Sequence, residues 1–116
     1  MSKDNAYLAD ILNASKSIRR FVEGVTKEAF LANEEKYEAV NRKLELIGEA
    51  SRHLSPEAQA KFPDIPWKLI GAMRNILIHD YEDVDLEIVW NTAQKDIPKL
   101  IVALEDYFTR LAGTSE

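Results

Sequence analysis

Three side chains near position 80 have the types and spacing that suit RNA cleavage. Arg74, His79 and Tyr81 place a guanidinium, an imidazole and a phenol within eight residues. An imidazole can take the proton from a ribose 2′-hydroxyl or give a proton to the leaving oxygen. A guanidinium can hold the charged phosphorane through two parallel hydrogen bonds. This chemistry requires no metal ion, and the three residues are therefore candidate catalytic groups.

The spacing by itself leaves a structural interpretation open. Arg74 and Tyr81 share a face on a continuous helix, but Arg74 and His79 are about 140° apart around an ideal helix. The two side chains converge only if the helix ends or loosens near His79, or if a second chain completes the site. The alternative is a buried Arg–Asp pair with a capping histidine and a packed tyrosine.

A run of acidic residues follows the candidate catalytic groups, at Asp80, Glu82, Asp83, Asp85 and Glu87. These carboxylates have the chemistry to hold Mg²⁺. The stronger interpretation is that they lie at a helix N-terminus, where negative charge complements the helix dipole. With 2 histidines and no cysteine in the chain, a His-rich or Cys-ligated metal site is not expected.

The elements that must position these residues are all predicted to be helices. Asp4 or Asn5 is the predicted cap of a first helix that runs to about Glu23, and Gly24 marks its end. Thr26 is the predicted cap of a short turn. Apolar residues recur at helical spacing along the first helix: Tyr7, Leu8, Ile11, Leu12, Ile18, Phe21 and Val22.

A second long helix is predicted over residues 33–54, and Ser55-Pro56 should open a short helix over 56–61. The apolar stripe of the long helix steps by three and four residues: Tyr37, Val40, Leu44, Ile47, Ser51 and Leu54. A third main helix is predicted over residues 66–78. It is apolar nearly all round, which indicates burial or a dimer interface.

The last helix is predicted to begin after Asp83 or Asp85, to run to about Leu111 and to be kinked at Pro98, which has no N–H to donate. Gly113 and the tail 114–116 should fray. The chain is therefore predicted to be a single all-α domain, 1–116. We expect an antiparallel up-and-down bundle of four main helices plus a short extra helix.

Composition sets limits on the function. The chain has 116 residues, no cysteine and a net charge of −5, so it has no long-range attraction for nucleic acid, and any RNA contact needs a local basic patch. No apolar stretch approaches 18 residues and no signal peptide is evident, which predicts a cytoplasmic protein without a membrane contact. The candidate basic residues fall in two groups: Lys16, Arg19 and Arg20, and Arg42, Lys43, Arg52 and His53.

Several segments together resemble a known family. The pattern Arg74, four residues, His79, one residue, Tyr81 resembles the signature of the HepT-like toxins, a branch of the HEPN domains. Ile47-Gly48-Glu49-Ala50 looks like the Gly-Glu-Ala element of that family. The start of the family's third helix resembles Ile65-Pro66-Trp67 followed by residues 71–75. The start of its last helix resembles Val84-Asp85 followed by Val89-Trp90. The resemblance spans about residues 30–100.

The resemblance implies a helical homodimer in which the motifs of two chains form one ribonuclease-like cleft. Arg74, His79 and Tyr81 would be catalytic, and Asn75 and Glu49 would be accessory. It implies a toxin with no cofactor of its own, proposed to cleave RNA without metal. Its antitoxin would be a minimal, MNT-type nucleotidyltransferase that transfers AMP from ATP to Tyr81.

Two other functions remain open. The chain could be a non-catalytic HEPN module that binds a nucleotidyltransferase and serves as its modification substrate. It could also be a structural helical dimer without a site. The acidic side chains of Glu82, Asp83 and Asp85 would repel RNA beside the cleft but could recruit the antitoxin.

Overall fold

The structure of the protein is a computed structural model that describes residues 2–72 and 85–114. All regular elements in these two ranges are helices, which confirms the all-α prediction for this part of the chain. They are α1 (Lys3–Val22), α2 (Lys27–Leu31), α3 (Glu34–Arg52), α4 (Pro56–Ala60), the start of α5 (67–72), α6 (Leu86–Asn91), a π-helical segment (Thr92–Asp96) and α7 (Ile97–Thr114). Within the same ranges no helix is long and apolar enough to cross a membrane.

Helix α1 packs against α3 and α7 and supplies the centre of the core. The predicted apolar stripes of α1 and α3 are the faces that become buried, and residues of α7 complete the core: Leu8, Ile11, Ile18, Val40, Leu44, Ile47, Leu100, Ile101 and Leu104. Helices α1 and α3 are antiparallel. Tyr7 near the start of α1 stacks on His53 just after α3, and Lys36 near the start of α3 donates to the carbonyl of Phe21 at 2.9 Å.

Most predicted helix caps are confirmed, but the first one is wrong. The side chains of Thr26 and Ser55 each accept a backbone N–H at the start of their helices. Helix α1, however, is capped by Ser2, whose hydroxyl accepts from the N–H of Asn5 at 3.1 Å. Asp4 lies inside the helix because its carboxylate is used elsewhere. Gly24 ends α1 with φ of +72°, a conformation in which glycine avoids a Cβ clash.

The Asp4 carboxylate links the start of α1 to the start of α4. Its two oxygens accept the N–H of Ser55 at 2.9 Å and the hydroxyl of Ser55 at 2.6 Å. The Ser55 hydroxyl, then its N–H and the charge of Lys61, hold the pKa of Asp4 below its ordinary value. The link therefore depends on an ionised carboxylate and fixes the corner that follows α3.

Replacing Asp4 by asparagine is expected to lower the melting temperature near neutral pH, and to lower it less in acid. Because the folded-state pKa is depressed, the stabilisation is present above the unfolded pKa of about 3.9 and is lost as the pH falls through the folded pKa. Thermal unfolding of both proteins from about pH 7 to pH 2 measures this difference. The exposed Asp10 on the same helix supplies the control Asp10→Asn. Equal losses in the two variants at neutral pH would contradict a specific role for Asp4.

The predicted last helix is interrupted rather than simply kinked. Of the two predicted caps, Asp83 and Asp85, it is Asp85 that caps α6. Its carboxylate accepts from the N–H of Glu87 at 2.9 Å. The N–H of Ile97 then donates to the carbonyl of Thr92, five residues back. Pro98 has no N–H and its ring crowds the carbonyl one turn earlier, so the chain accommodates it with an extra residue in a π turn. Helix α7 continues through Gly113 to Thr114, three residues past the predicted end at Leu111.

Candidate functional site

Of the five predicted site residues, the structure describes one. Glu49 lies on α3, whereas Arg74, Asn75, His79 and Tyr81 lie outside the described residues. The described part of the molecule therefore shows how the chain is held on each side of the motif, and what surrounds Glu49.

The chain that leads to the motif is anchored by aromatic packing. Pro66 precedes the helical residues 67–72, as predicted. The indole N–H of Trp67 donates to the carbonyl of Gln59 at 3.1 Å, and its ring meets Phe62 edge-on with centroids 6.2 Å apart. The ring of Phe62 in turn packs on Tyr107 of α7 at 5.3 Å. These contacts fix the start of α5 against α4 and α7.

The same helix touches the end of α3. A Cβ on Gly71 would lie 3.5 Å from Cγ of Arg52, an ordinary van der Waals distance. Residue 71 therefore lies against the Arg52 stem, and even an alanine would fit there. The C-terminal turn of α3, which carries Glu49 and Arg52, is thus the part of α3 next to α5. The predicted accessory residue Glu49 lies one turn before Arg52, the α3 residue that adjoins Gly71.

The chain that follows the motif is anchored at α6. Phe30 is fully buried and packs on Trp90 with ring centroids 5.1 Å apart. Lys27 pairs with Glu87 at 3.3 Å, across exposed side chains, so this ion pair contributes little free energy. The buried aromatic contact is what holds α6 against α2.

Glu49 belongs to a small polar cluster at the surface between α1 and α3. Its carboxylate lies 3.2 Å from Nε2 of His53. The His53 ring stacks on Tyr7 with centroids 5.0 Å apart and an interplanar angle of 15°. We expected Tyr7 in the core, but it is only partly buried and lines a groove with Glu49 and His53. Tyr7 and Asp10 both line this groove, one turn apart on α1, and neither was predicted from the sequence as a site residue.

The predicted basic residues do not form one patch. Lys16 pairs with Glu105 of α7 at 3.1 Å, and Arg42 pairs with its neighbour Glu45 at 3.3 Å. Lys43 instead lines the groove between α1 and α3. Arg20 does not line this groove, but it donates at 3.0 Å to the hydroxyl of Ser17, which does. Of the predicted basic residues, Lys43 and His53 line this groove and Arg20 lies beside it.

The acidic run is only partly described. Asp85 is used as a helix cap and Glu87 faces Lys27, as the dipole interpretation of these acids predicts. Asp80, Glu82 and Asp83 lie outside the described residues. In residues 2–72 and 85–114, no group of three His, Cys, Asp or Glu side chains is arranged to hold a metal ion.

Comparison with known proteins gives consistent matches over most of the chain. The family model for ribonuclease HepT-like proteins matches residues 11–107. The chain is 39% identical over 95 residues to a Methanocaldococcus jannaschii protein whose name gives RNase as a provisional function, covering 82% of this chain and 87% of that one. It is 40% identical over 94 residues to a Thermococcus cleftensis protein named as a probable ribonuclease HepT, covering 81% and 86%.

A second Methanocaldococcus jannaschii protein with a provisional RNase name is 35% identical over 111 residues, covering 96% of this chain and 92% of that one. No solved structure matches the chain significantly. The three alignments cover between 86% and 92% of the length of these relatives.

Proposed function

This chain belongs to the HepT-like ribonuclease family, and we propose that it is itself an endoribonuclease that cleaves RNA without a metal ion. The observation that carries the proposal is the family match over residues 11–107, which contains Arg74, His79 and Tyr81. A match of this length covers the candidate catalytic groups together with the helices on both sides of them.

The proposed reaction uses the ribose next to the cleaved bond. The 2′-oxygen attacks the adjacent phosphorus as His79 takes its proton, and the bond from phosphorus to the 5′-oxygen breaks. A protonated imidazole, which a homodimer supplies from the second chain, gives a proton to the leaving oxygen. Arg74 stabilises the phosphorane charge with its guanidinium. The products are a 2′,3′-cyclic phosphate and a 5′-hydroxyl.

Asn75 and Glu49 have supporting roles in this proposal. Asn75 directly follows Arg74 and offers an amide to the phosphate or a base. Glu49 lies one turn before Arg52, which adjoins α5 at Gly71, and its carboxylate could orient a nearby cation. Neither group transfers a proton in the reaction.

The purified chain, produced without any partner, is expected to cleave single-stranded RNA in the presence of a metal chelator. Denaturing gels measure the cleavage, and end-group analysis of the products should find 2′,3′-cyclic phosphates. Intact RNA at high protein concentration, across several RNA classes, would contradict the proposal. Activity that disappears with the chelator and returns with Mg²⁺ would contradict its metal-independent part.

We also propose that the chain is the toxin of a toxin–antitoxin pair. Its partner would be a small nucleotidyltransferase of the minimal type, which uses ATP to transfer AMP to Tyr81. A phosphate attached there brings negative charge to the site and can pair with Arg74 in place of the RNA phosphate. The acidic residues Glu82, Asp83 and Asp85 suit contact with a protein partner better than contact with RNA.

A further inference from the structure

An open groove of about 460 Å³ runs along the surface between α1 and α3. Its walls follow helical spacings, with residues 7, 10, 13 and 17 on α1 and residues 43, 46 and 49 on α3, followed by His53 just after α3. Ala14 and Ala50 form the floor and are 6% and 7% exposed. Two small side chains at the contact of antiparallel helices leave this groove wide enough for a flat or extended ligand.

The two ends of the groove differ in chemistry. At one end, the stacked rings of Tyr7 and His53 present an aromatic surface. At the other end lie the Ser17 hydroxyl and Lys43, and Arg20 donates to Ser17 at 3.0 Å. Ten residues separate Tyr7 from Ser17, which is about 15 Å along a helix. A cationic side chain in the lining, a second one beside it and an aromatic surface therefore lie at opposite ends of the groove.

Polar side chains fill the length between these ends. Asp10 and Asn13 are exposed on the α1 wall. Among the residues that the structure describes, neither Asp10 nor Lys43 forms an ion pair. Leu46, 39% exposed, is the large aliphatic side chain of the lining. Six of the ten lining residues are polar or charged, whereas a docked amphipathic helix requires a hydrophobic groove.

We propose that this groove binds single-stranded RNA outside the catalytic motif, an inference that rests on the proposed ribonuclease function. A phosphate lies between Lys43 and Arg20, and a base stacks on the exposed face of the Tyr7–His53 pair. Single-strand binding sites combine these two features, cationic groups for the backbone and aromatic rings for the bases.

Asp10 and Asn13 add hydrogen bonds to base edges, with the carboxylate accepting from amino groups. The carboxylates of Asp10 and Glu49 also repel phosphate from the middle of the groove and confine it to the Lys43 end. A groove with a single cationic end suits a flexible single strand better than a duplex, which carries phosphates on both strands.

The position of the groove connects it with the proposed cleavage site. Its aromatic end lies at the C-terminal end of α3, where Arg52 contacts α5 at Gly71. From there the chain continues to Arg74, three residues later in sequence. RNA held in the groove therefore leaves it beside residues 67–72, which precede the catalytic motif in sequence, and the groove would add affinity without taking part in the chemistry.

The test measures RNA affinity in a His79→Ala background, which keeps the RNA intact. The probe is a fluorescently labelled single-stranded RNA of about ten nucleotides. The double variant Arg20→Gln with Lys43→Gln is expected to bind about tenfold more weakly, and the slope of log affinity against log salt should fall by about 0.7, because the one phosphate contact that the two side chains share is lost. His53→Ala is expected to weaken binding about tenfold through lost stacking, with no change in that slope.

The matched control removes two positive charges elsewhere, as Lys95→Gln with Lys99→Gln, two residues that are exposed and do not line this groove. Equal losses of affinity in the two double variants would overturn the groove proposal. The proposal would also be overturned if the groove variants bound RNA with unchanged affinity but bound the nucleotidyltransferase more weakly. Circular dichroism checks that each variant remains folded.

Failure of the groove is distinguishable from failure of the proposed function. If the wild-type chain cleaves RNA and the groove variants cleave it with an unchanged KM, the groove does not bind RNA, but the proposed ribonuclease activity is supported. If the wild-type chain neither binds nor cleaves any RNA, both proposals are overturned. In otherwise active protein, a raised KM with an unchanged kcat in the groove variants supports the groove.

Discussion

Replacing His79 by alanine is expected to lower RNA cleavage by about 10²–10⁴-fold, the usual contribution of a positioned general acid–base group. The expected loss falls on kcat, because the imidazole acts on protons that move only in the transition state. The affinity for RNA should change little, since Arg74 is proposed to hold the scissile phosphate and the groove to hold a second one. Single-turnover cleavage and equilibrium binding, measured on the same RNA, separate the two quantities.

The other histidine of the chain supplies the comparison for this prediction. His53 lies in the groove between α1 and α3, so His53→Ala should raise KM and leave kcat unchanged. Residual cleavage at the wild-type rate in His79→Ala would remove this residue from the mechanism. Arg74→Lys gives a second check, because lysine keeps the charge but loses the two-pronged contact with phosphate. The Arg74→Lys variant should lose more of kcat than of its affinity for RNA.

Co-expression with the cognate nucleotidyltransferase is expected to add one or more AMP units to the chain and to abolish cleavage. The added phosphate competes with RNA for Arg74 and places bulk in the cleft. Intact-mass measurement detects the modification, and the gel assay detects the loss of activity. In Tyr81→Phe the mass increase should disappear, and whatever cleavage this variant retains should no longer respond to the partner and ATP.

Tyr37→Phe is the matched control, because this tyrosine is partly buried on α3 and its ring packs edge-on against Phe30. That variant should be modified like the wild type. A mass increase that persists in Tyr81→Phe would identify a different acceptor residue. Modification of a chain that never shows nuclease activity would favour the non-catalytic module over the ribonuclease.

The helical elements were predictable because local signals agree with the packing. Thr26, Ser55 and Asp85 are good capping residues, and each accepts backbone N–H groups where the sequence predicted. The buried stripe of α3 steps by three and four residues, as its burial requires. These features depend on residues a few positions apart in the chain, so the sequence alone is enough to predict them.

The errors have a common cause, which is competition from residues distant in sequence. Asp4 has the right chemistry to cap α1, but Ser55, 51 residues away, takes both of its carboxylate oxygens. Tyr7 fits the apolar stripe of α1, yet His53 holds its ring in the wall of a groove. Pro98 signals a distortion of the last helix, but whether the result is a kink or a π turn depends on the packing around it.

The sequence by itself determined that this protein is helical, that it belongs with the HepT-like ribonucleases, and that Arg74, His79 and Tyr81 are its candidate catalytic groups. Helix periodicity, caps and motif spacing are local in the chain, so they can be read along it. Only the tertiary structure decided which charged side chains meet. It directed Lys16 towards α7 and placed Lys43 at one end of a groove, with Arg20 bonded to Ser17 beside it and Tyr7 and His53 at the other end. Such a groove depends on how two antiparallel helices pack, and that packing follows from the whole core rather than from any one segment.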